Sequence, residues 1–146
     1  MKISILSVGR ERADASAPLT ADYVARIAKF LPVEDIVIRQ DREDRVATRI
    51  LDKSGKGGML VALDETGKLL DSAGFSERLG NWMDTGVSKM TFVIGGADGL
   101  PAEIKRRADL LLSLSPMTFP HRLARLFLVE QIYRGLCILR GIPYQK

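Results

Sequence analysis

Short apolar runs alternate with amphipathic stretches along almost the whole chain, and this alternation restricts the fold more than any other feature. Five of these runs have the length and composition of strands, and they lie at residues 3–8, 35–39, 59–63, 90–94 and 110–114. Strands that are apolar on both sides are typical of a parallel sheet covered by helices on both faces. The pattern therefore predicts an α/β fold, a parallel sheet flanked by helices.

Helices are predicted between the strands, at residues 18–31, 41–55 and 75–86, then from Pro101 through Arg107, and finally at 122–139. The last helix is apolar around nearly its whole circumference, and one face of a sheet cannot bury all of it. We expect a second apolar partner, most simply another copy of the chain. The alternative is a central helix inside one monomer.

The length of 146 residues is that of one domain, so residues 1–146 are taken as a single unit. One cysteine, Cys137, and one histidine, His121, are too few for a structural zinc site, and no metal is expected. The first apolar run has only six residues, fewer than a secretory signal or a membrane span needs. We therefore expect a cytoplasmic protein without a membrane segment.

The positive charge is concentrated near the end of the chain. Residues 1–99 contain 14 Lys or Arg and 15 Asp or Glu, whereas residues 100–146 contain 8 and 3. A local positive field of this kind would attract a polyanion such as a nucleic acid. The alternative is a solvated face without a binding role.

Three segments follow predicted strands at the edge where open α/β sheets bind ligands: Leu63 with Asp64, residues 95–99 and residues 115–121. The glycine cluster GGADG lets backbone approach a ligand, because glycine has no side chain to block it. The cluster matches neither the dinucleotide-binding motif nor the phosphate-binding loop, which disfavours an enzyme that uses NAD. The alternative to a ligand-binding role is a tight turn between a strand and a helix.

The segment SPMTFPHRLAR joins a loop stiffened by two prolines to the start of the last helix. His121 and Arg125 are four residues apart, so both can face the same way, although His121 could merely cap the helix. Arg125 and Arg134 differ by about 180° around a helix, so they cannot serve the same site from one chain but could do so in a dimer. Glu130 and Arg134 have the favoured spacing of a helical ion pair.

Four ordered blocks, LDETGK, FVIGGADGL, LSLSPMTFPHRLARLFLVEQIYRG and GIPY, together with the opening MKISILSVGR, resemble the ribosomal large-subunit pseudouridine N3-methyltransferase H family of the SPOUT superfamily. The resemblance covers essentially the whole chain. It implies a homodimer whose subunits each carry a C-terminal trefoil knot. It also implies an enzyme that uses S-adenosyl-L-methionine to methylate N3 of a pseudouridine in 23S rRNA, in a stem-loop at the ribosomal subunit interface.

The resemblance further implies a cofactor pocket formed by Leu63, Gly95, Leu114, Ser115, Pro116, Met117, Thr118 and Phe119. His121, Arg134 and Tyr144 are our candidates for residues near the target base. Histidine can accept a proton near neutral pH, and arginine can stabilise a uracil anion or hold a phosphate.

One departure from the family lies at the terminus. The family commonly ends Pro-Tyr-His followed by a basic residue, whereas this chain has Gln145 and Lys146 after Tyr144. Glutamine cannot act as a base near neutral pH. Either glutamine replaces a binding group, or the chain is a knotted RNA-binding or ribosome-binding factor without methyltransferase activity.

Overall fold

The computed structural model describes residues 1–10 and 14–144. In this part of the chain five strands alternate with five helices. The elements are β1 (Lys2–Val8), α1 (Ala17–Ile27), β2 (Val33–Ile38), α2 (Glu43–Ser54), β3 (Met59–Leu69), α3 (Ser72–Asp84), β4 (Lys89–Ile94), α4 (Ala102–Arg107), β5 (Leu110–Ser113) and α5 (His121–Arg140).

The strands form one sheet in the order β2-β1-β4-β3-β5, and every pair of neighbouring strands is parallel. In the register of the sheet, Ile5 of β1 lies between Asp35 of β2 and Phe92 of β4. The predicted parallel α/β sheet is confirmed. Its topology brings the carboxyl ends of all five strands to one edge.

Each face of the sheet has its own hydrophobic core, because successive side chains of a strand point to opposite faces. Ile3 and Ile5 of β1 pack with α1, α3 and α5 in one cluster. Leu6 and Val8 of the same strand pack with α2 and α4 in the other. The apolar side chains of β1 are therefore divided between two layers of helices.

The predicted end of β3 was wrong. The strand continues to Leu69 instead of ending at Leu63, since Lys68 and Leu69 pair with Leu112 and Ser113 after a shift of register. The polar composition of the DETGK segment led us to expect a loop there. Pairing with β5 is a long-range contact, and the local pattern does not contain it.

Several helix limits also differ from the prediction. Helix α3 begins at Ser72 rather than residue 75, because the Asp71 side chain accepts a hydrogen bond from the Gly74 amide and caps the first turn. Helix α1 ends at Ile27, four residues before the predicted end, and the chain leaves it through tight turns at Lys29 and Phe30.

Helix α5 is the longest helix described, with 20 residues, and α1 and α3 pack against it. Leu128, Val129, Ile132, Leu136 and Cys137 are buried along one side. Its other side leaves Leu123, Phe127 and Ile138 partly exposed, and Leu139 near the end of the helix is also partly exposed. One copy of the chain thus buries only part of the apolar circumference.

Residues 1–10 and 14–144 contain neither a cluster of metal ligands nor a membrane-spanning helix. No group of three or more His, Cys, Asp or Glu side chains could hold a metal ion. No helix in this part of the chain is both long and apolar enough to cross a membrane.

Candidate functional site

A cleft of about 420 Å³ lies where β3, β4 and β5 end. The three segments predicted from the strand ends all line it. Seven of the eight predicted cofactor residues are among the lining, namely Leu63, Gly95, Leu114, Ser115, Met117, Thr118 and Phe119. Pro116 belongs to the same loop but does not line the cleft.

The wall after β4 depends on glycine. Gly96 and Gly99 form an isolated antiparallel bridge, with the Gly99 amide 3.0 Å from the Gly96 carbonyl oxygen. A Cβ atom on Gly95 would lie 2.7 Å from the carbonyl carbon of Gly99, closer than real contacts allow. Because glycine has no side chain, these residues allow both the tight turn and the exposure of backbone in the cleft.

The wall after β5 is tied to the extension of β3. Ser113 Oγ donates to the Glu65 carbonyl oxygen at 3.1 Å, and Thr118 Oγ1 donates to the Glu65 carboxylate. Within the loop, Ser115 Oγ accepts a hydrogen bond from the Met117 amide. These contacts hold the loop over the cleft. Glu65 lines the cleft, although its position in the sequence did not single it out.

Asp64 places a negative charge on the cleft floor next to Leu63. Its carboxylate accepts a hydrogen bond from the Thr66 hydroxyl and lies 3.2 Å from the Lys105 ammonium group. The Thr66 hydrogen bond is the main cause of a lowered Asp64 pKa, and Lys105 lowers it further against the opposing effect of burial. Asp64 is therefore ionised at neutral pH.

His121 is the first residue of α5 and lines the cleft near Phe119. The N-cap position of α5 is occupied by Pro120, not by His121, and no side-chain cap hydrogen bond forms there. His121 also lines a neighbouring pocket of about 280 Å³. We call it the arginine pocket, and its polar lining includes Ser7, Asp14, Asp35, His121, Arg122 and Arg125.

The arginine pocket confirms that His121 and Arg125 face the same way. Arg125 pairs with Asp35 of β2, and its Nε donates to Asp35 Oδ1 at 3.0 Å. Ser7 and Asp35 were not among the predicted site residues, because each lies within a predicted strand. Only the parallel register of β1 and β2, which neither strand reveals alone, places both beneath the start of α5.

Arg134 and Tyr144 lie together but away from the cleft. Arg134 pairs with Glu130 at 2.8 Å, as the spacing predicted, and its guanidinium group lies 4.8 Å from the centre of the Tyr144 ring. The Tyr144 hydroxyl donates to Glu130 at 2.9 Å and shares a hydrogen bond with the hydroxyl of Tyr23. Burial, then the hydrogen bonds with Tyr23 and Glu130, raise the pKa of Tyr144.

The three candidate catalytic residues are therefore not brought together within one chain. His121 and Arg134 are separated by thirteen residues of continuous helix, which corresponds to about 20 Å along its axis. Gln145 and Lys146, where the terminal departure from the family falls, lie outside the described residues.

Comparison with known proteins gives concordant results. A family model described as "Predicted SPOUT methyltransferase" matches residues 1–145. The chain is 42% identical to ribosomal RNA large subunit methyltransferase H of Rhodospirillum centenum, covering 100% of this chain and 99% of the relative. It is 40% identical to the protein of the same name from Anaeromyxobacter sp. strain K, with 100% of both chains covered.

Solved structures share the fold at low sequence identity. A protein from a study of 2-OH methylation of C/U34 on tRNA superposes with a TM-score of 0.52 at 19% identity, covering 96% of this chain and 97% of that one. The SpoU methyltransferase AviRb from Streptomyces viridochromogenes, solved with AdoMet, gives a TM-score of 0.50 at 14% identity, covering 91% of this chain and 57% of that one. The chain belongs to the SPOUT methyltransferases, in the family of ribosomal RNA large subunit methyltransferase H.

Proposed function

We propose that the protein is an S-adenosyl-L-methionine-dependent methyltransferase of 23S rRNA that methylates N3 of a pseudouridine, in a stem-loop at the ribosomal subunit interface. The observation that carries the proposal is the cleft at the ends of β3, β4 and β5, which gathers seven of the eight cofactor residues expected from the family. We further propose that it acts in the cytoplasm as a homodimer with a C-terminal knot in each subunit.

The lining of the cleft fits this cofactor. Its volume of about 420 Å³ is in the range of small-molecule sites. Leu63, Leu112 and Leu114 provide apolar surface for an adenine ring, and the Glu65 carboxylate provides negative charge for a cationic ligand. Glycine backbone at Gly95 and Gly96 supplies hydrogen-bonding groups without side chains in the way.

When bound, S-adenosyl-L-methionine supplies an activated methyl group whose departure leaves the bonding electron pair on sulfur. The protein has to place the acceptor nitrogen in line with that methyl group and to receive the N3 proton. His121 is the candidate for accepting the proton, since it lies at the border of the cleft. A tyrosine is protonated at neutral pH, and the raised pKa of Tyr144 extends this to higher pH, so Tyr144 would act as a hydrogen-bond donor.

A homodimer would bring the separated candidate residues together at one site. His121 and Arg134 are about 20 Å apart on α5, so a second copy packed against this helix could bring its Arg134 and Tyr144 to the His121 of the first. The partly exposed Leu123, Phe127 and Ile138 along α5 provide apolar surface for such contact. Arg134 would then stabilise the uracil anion across the interface.

The test is to incubate the protein with assembled ribosomes and S-adenosyl-L-methionine labelled in the methyl group, and to map the modified nucleotide. We expect label at one pseudouridine of 23S rRNA. Absence of label from rRNA, with cofactor binding demonstrated by calorimetry, would instead support an RNA-binding factor without activity. Gln145 in place of the family's terminal histidine is the observation that favours this second function.

A further inference from the structure

The arginine pocket lies directly beside the proposed cofactor cleft, and none of the eight expected cofactor residues lines it. It is enclosed by the carboxyl ends of β1 and β2 and by the first turns of α1 and α5. His121 lines both cavities, so they share one wall. A group held in the arginine pocket would thus lie next to a group held in the cleft.

The charges of the pocket favour a ligand that is partly anionic. Arg10, Arg122 and Arg125 line it, against two carboxylates. Arg122 lies 3.0 Å from Asp14, and Arg125 is held by Asp35, so both carboxylates are neutralised. A guanidinium group has five N–H donors, and a carboxylate partner occupies only part of them. The ion pairs therefore orient the arginines without exhausting their donors.

Ser7 is a second and independent sign of a ligand. Its side chain lines the pocket, the residue is 5% exposed, and its Oγ has no hydrogen-bond partner among the described residues. A buried hydroxyl without a partner costs stability, and such groups in native proteins usually have a function. A hydroxyl can both donate and accept, as the edge of a nucleobase requires.

A third cavity, of about 440 Å³, differs from the arginine pocket in the charge of its lining. It lies beneath the start of α3, also adjoins the cleft, and shares Leu112, Leu114 and Phe119 with it. Its charged lining residues are Asp71 and Glu130, and no Lys, Arg or His lines it. That cavity offers a phosphate no cationic side chain, so of these two neighbours of the cleft only the arginine pocket suits an RNA strand.

We propose that the arginine pocket binds the methyl-accepting nucleotide of the RNA, a pyrimidine base with its phosphate, and that Ser7 and Arg125 hydrogen-bond this nucleotide. The inference rests on the proposed function for the identity of the acceptor. The mixture of donors and acceptors matches a pyrimidine edge, and the excess of arginine matches the phosphate. The shared wall at His121 would place the base next to the methyl group, at the close approach that transfer requires.

Ser7→Ala is the variant that tests the pocket without damaging the fold, because it removes a hydroxyl that has no hydrogen-bond partner among residues 1–10 and 14–144. Thr91→Val is the matched control, since Thr91 Oγ1 is the other buried hydroxyl without a partner in the described chain. Thr91 lies on β4 and points to the opposite face of the sheet, the side of α2 and α4. Neither substitution should lower the free energy of unfolding.

The first measurement uses uridine 5′-monophosphate as the probe and requires no methyl transfer. Amide chemical shifts are followed by NMR while the nucleotide is titrated into the millimolar range. We expect saturable shifts at Ser7, Gly9 and Val37, with affinity about 3–10-fold weaker in Ser7→Ala and unchanged in Thr91→Val. Absence of shifts around the pocket, or equal affinity in wild type and Ser7→Ala, would overturn the proposal.

The second measurement is methyl transfer to ribosomes. For Ser7→Ala we expect kcat/KM for the RNA to fall about 3–10-fold, with the cofactor Kd from calorimetry unchanged and Thr91→Val equal to wild type. Equal kcat/KM in all three proteins would show that the pocket does not hold the acceptor and would also overturn the proposal. If wild type transfers no methyl group but binds the nucleotide in the pocket, the proposed function fails and the nucleotide site stands.

Discussion

Arg125 of α5 forms an ion pair with Asp35 of β2, ninety positions earlier in the chain, with Nε 3.0 Å from Oδ1. The two side chains are only 22% and 17% exposed. Strand β2 is the edge of the sheet, so this contact joins the start of the last helix to the outermost strand. Such a pair contributes more to the free energy of unfolding than an exposed pair, because each charge would otherwise lie half-buried without a partner.

Asp35→Asn should therefore lower the free energy of unfolding by about 1–3 kcal/mol, which is less than the loss of a fully buried pair. The measurement is urea unfolding at neutral pH and fixed protein concentration. Asp22→Asn is the matched control, because the Asp22–Arg26 pair is also made by an aspartate and an arginine but has side chains 52% and 41% exposed. Asp22→Asn should lower the free energy of unfolding by about 0.5 kcal/mol or less. Equal losses in both variants would contradict the special contribution of Asp35.

Gly95→Ala should weaken binding of S-adenosyl-L-methionine about tenfold or more, because the new Cβ would displace the turn at Gly99 that forms one wall of the cleft. Calorimetric titration of the cofactor measures the effect. Gly80→Ala is the control, since its Cβ would meet only a methyl group of Leu139, a partly exposed and flexible side chain on α5. Unchanged cofactor affinity in Gly95→Ala would show that this wall does not contact the cofactor.

A shared active site predicts complementation between subunits. His121→Ala and Arg134→Ala should each abolish most methyl transfer as homodimers. In a verified heterodimer of the two variants, one site would combine the intact His121 of one subunit with the intact Arg134 of the other, and about half of the wild-type activity should return. If both residues acted in the same chain, every site of the heterodimer would carry one substitution, and activity would stay absent.

Acid should remove the contribution of Asp64 to stability. The pKa of Asp64 is lowered in the folded protein, first by the Thr66 hydroxyl and then by Lys105. A lowered pKa means that the ionised form stabilises the fold above the unfolded value of about 3.9, and that this contribution disappears as the pH falls through the folded pKa. Urea unfolding of wild type and Asp64→Asn should thus differ by up to about 1 kcal/mol at neutral pH and converge in acid.

A difference between wild type and Asp64→Asn that persists unchanged well below the unfolded pKa would contradict this explanation. Glu103→Gln serves as the control. Its pair with Arg107 lies on α4, and the two side chains are 43% and 59% exposed, so the variant should show little difference from wild type at any pH.

Local sequence patterns predicted much of the fold, since the apolar residues within each strand and helix recur with the period of that element. The patterns failed at the extension of β3. Residues 64–69 are mostly polar and glycine-containing, yet they continue the strand, because backbone pairing with β5 does not depend on side-chain polarity. The capped start of α3 was missed for a simpler reason, since Asp71 lies just outside the apolar repeat that was used to place the helix.

The candidate site was likewise predictable from the sequence only in part. The three strand ends could be found in the sequence, because parallel strands separated by helices place their carboxyl ends on one edge. Ser7, Asp35 and Glu65 could not, since each is read locally as part of a strand or a polar turn. Ser7 and Asp35 come to one pocket through strand register, and Glu65 meets Thr118 through a hydrogen bond across 53 positions.

The sequence by itself determined the layered α/β architecture, the glycine-dependent turn after β4 and the helical ion pair of Glu130 with Arg134, since all of these depend on residues that are near one another in the chain. Only the tertiary structure decided that His121 lies between two cavities and that Tyr144, beyond the end of α5, packs against Glu130 and Arg134. The reason is physical. Distances between side chains on one rigid helix are fixed, but which cavity each side chain faces is set by strands that pack against it from distant parts of the chain.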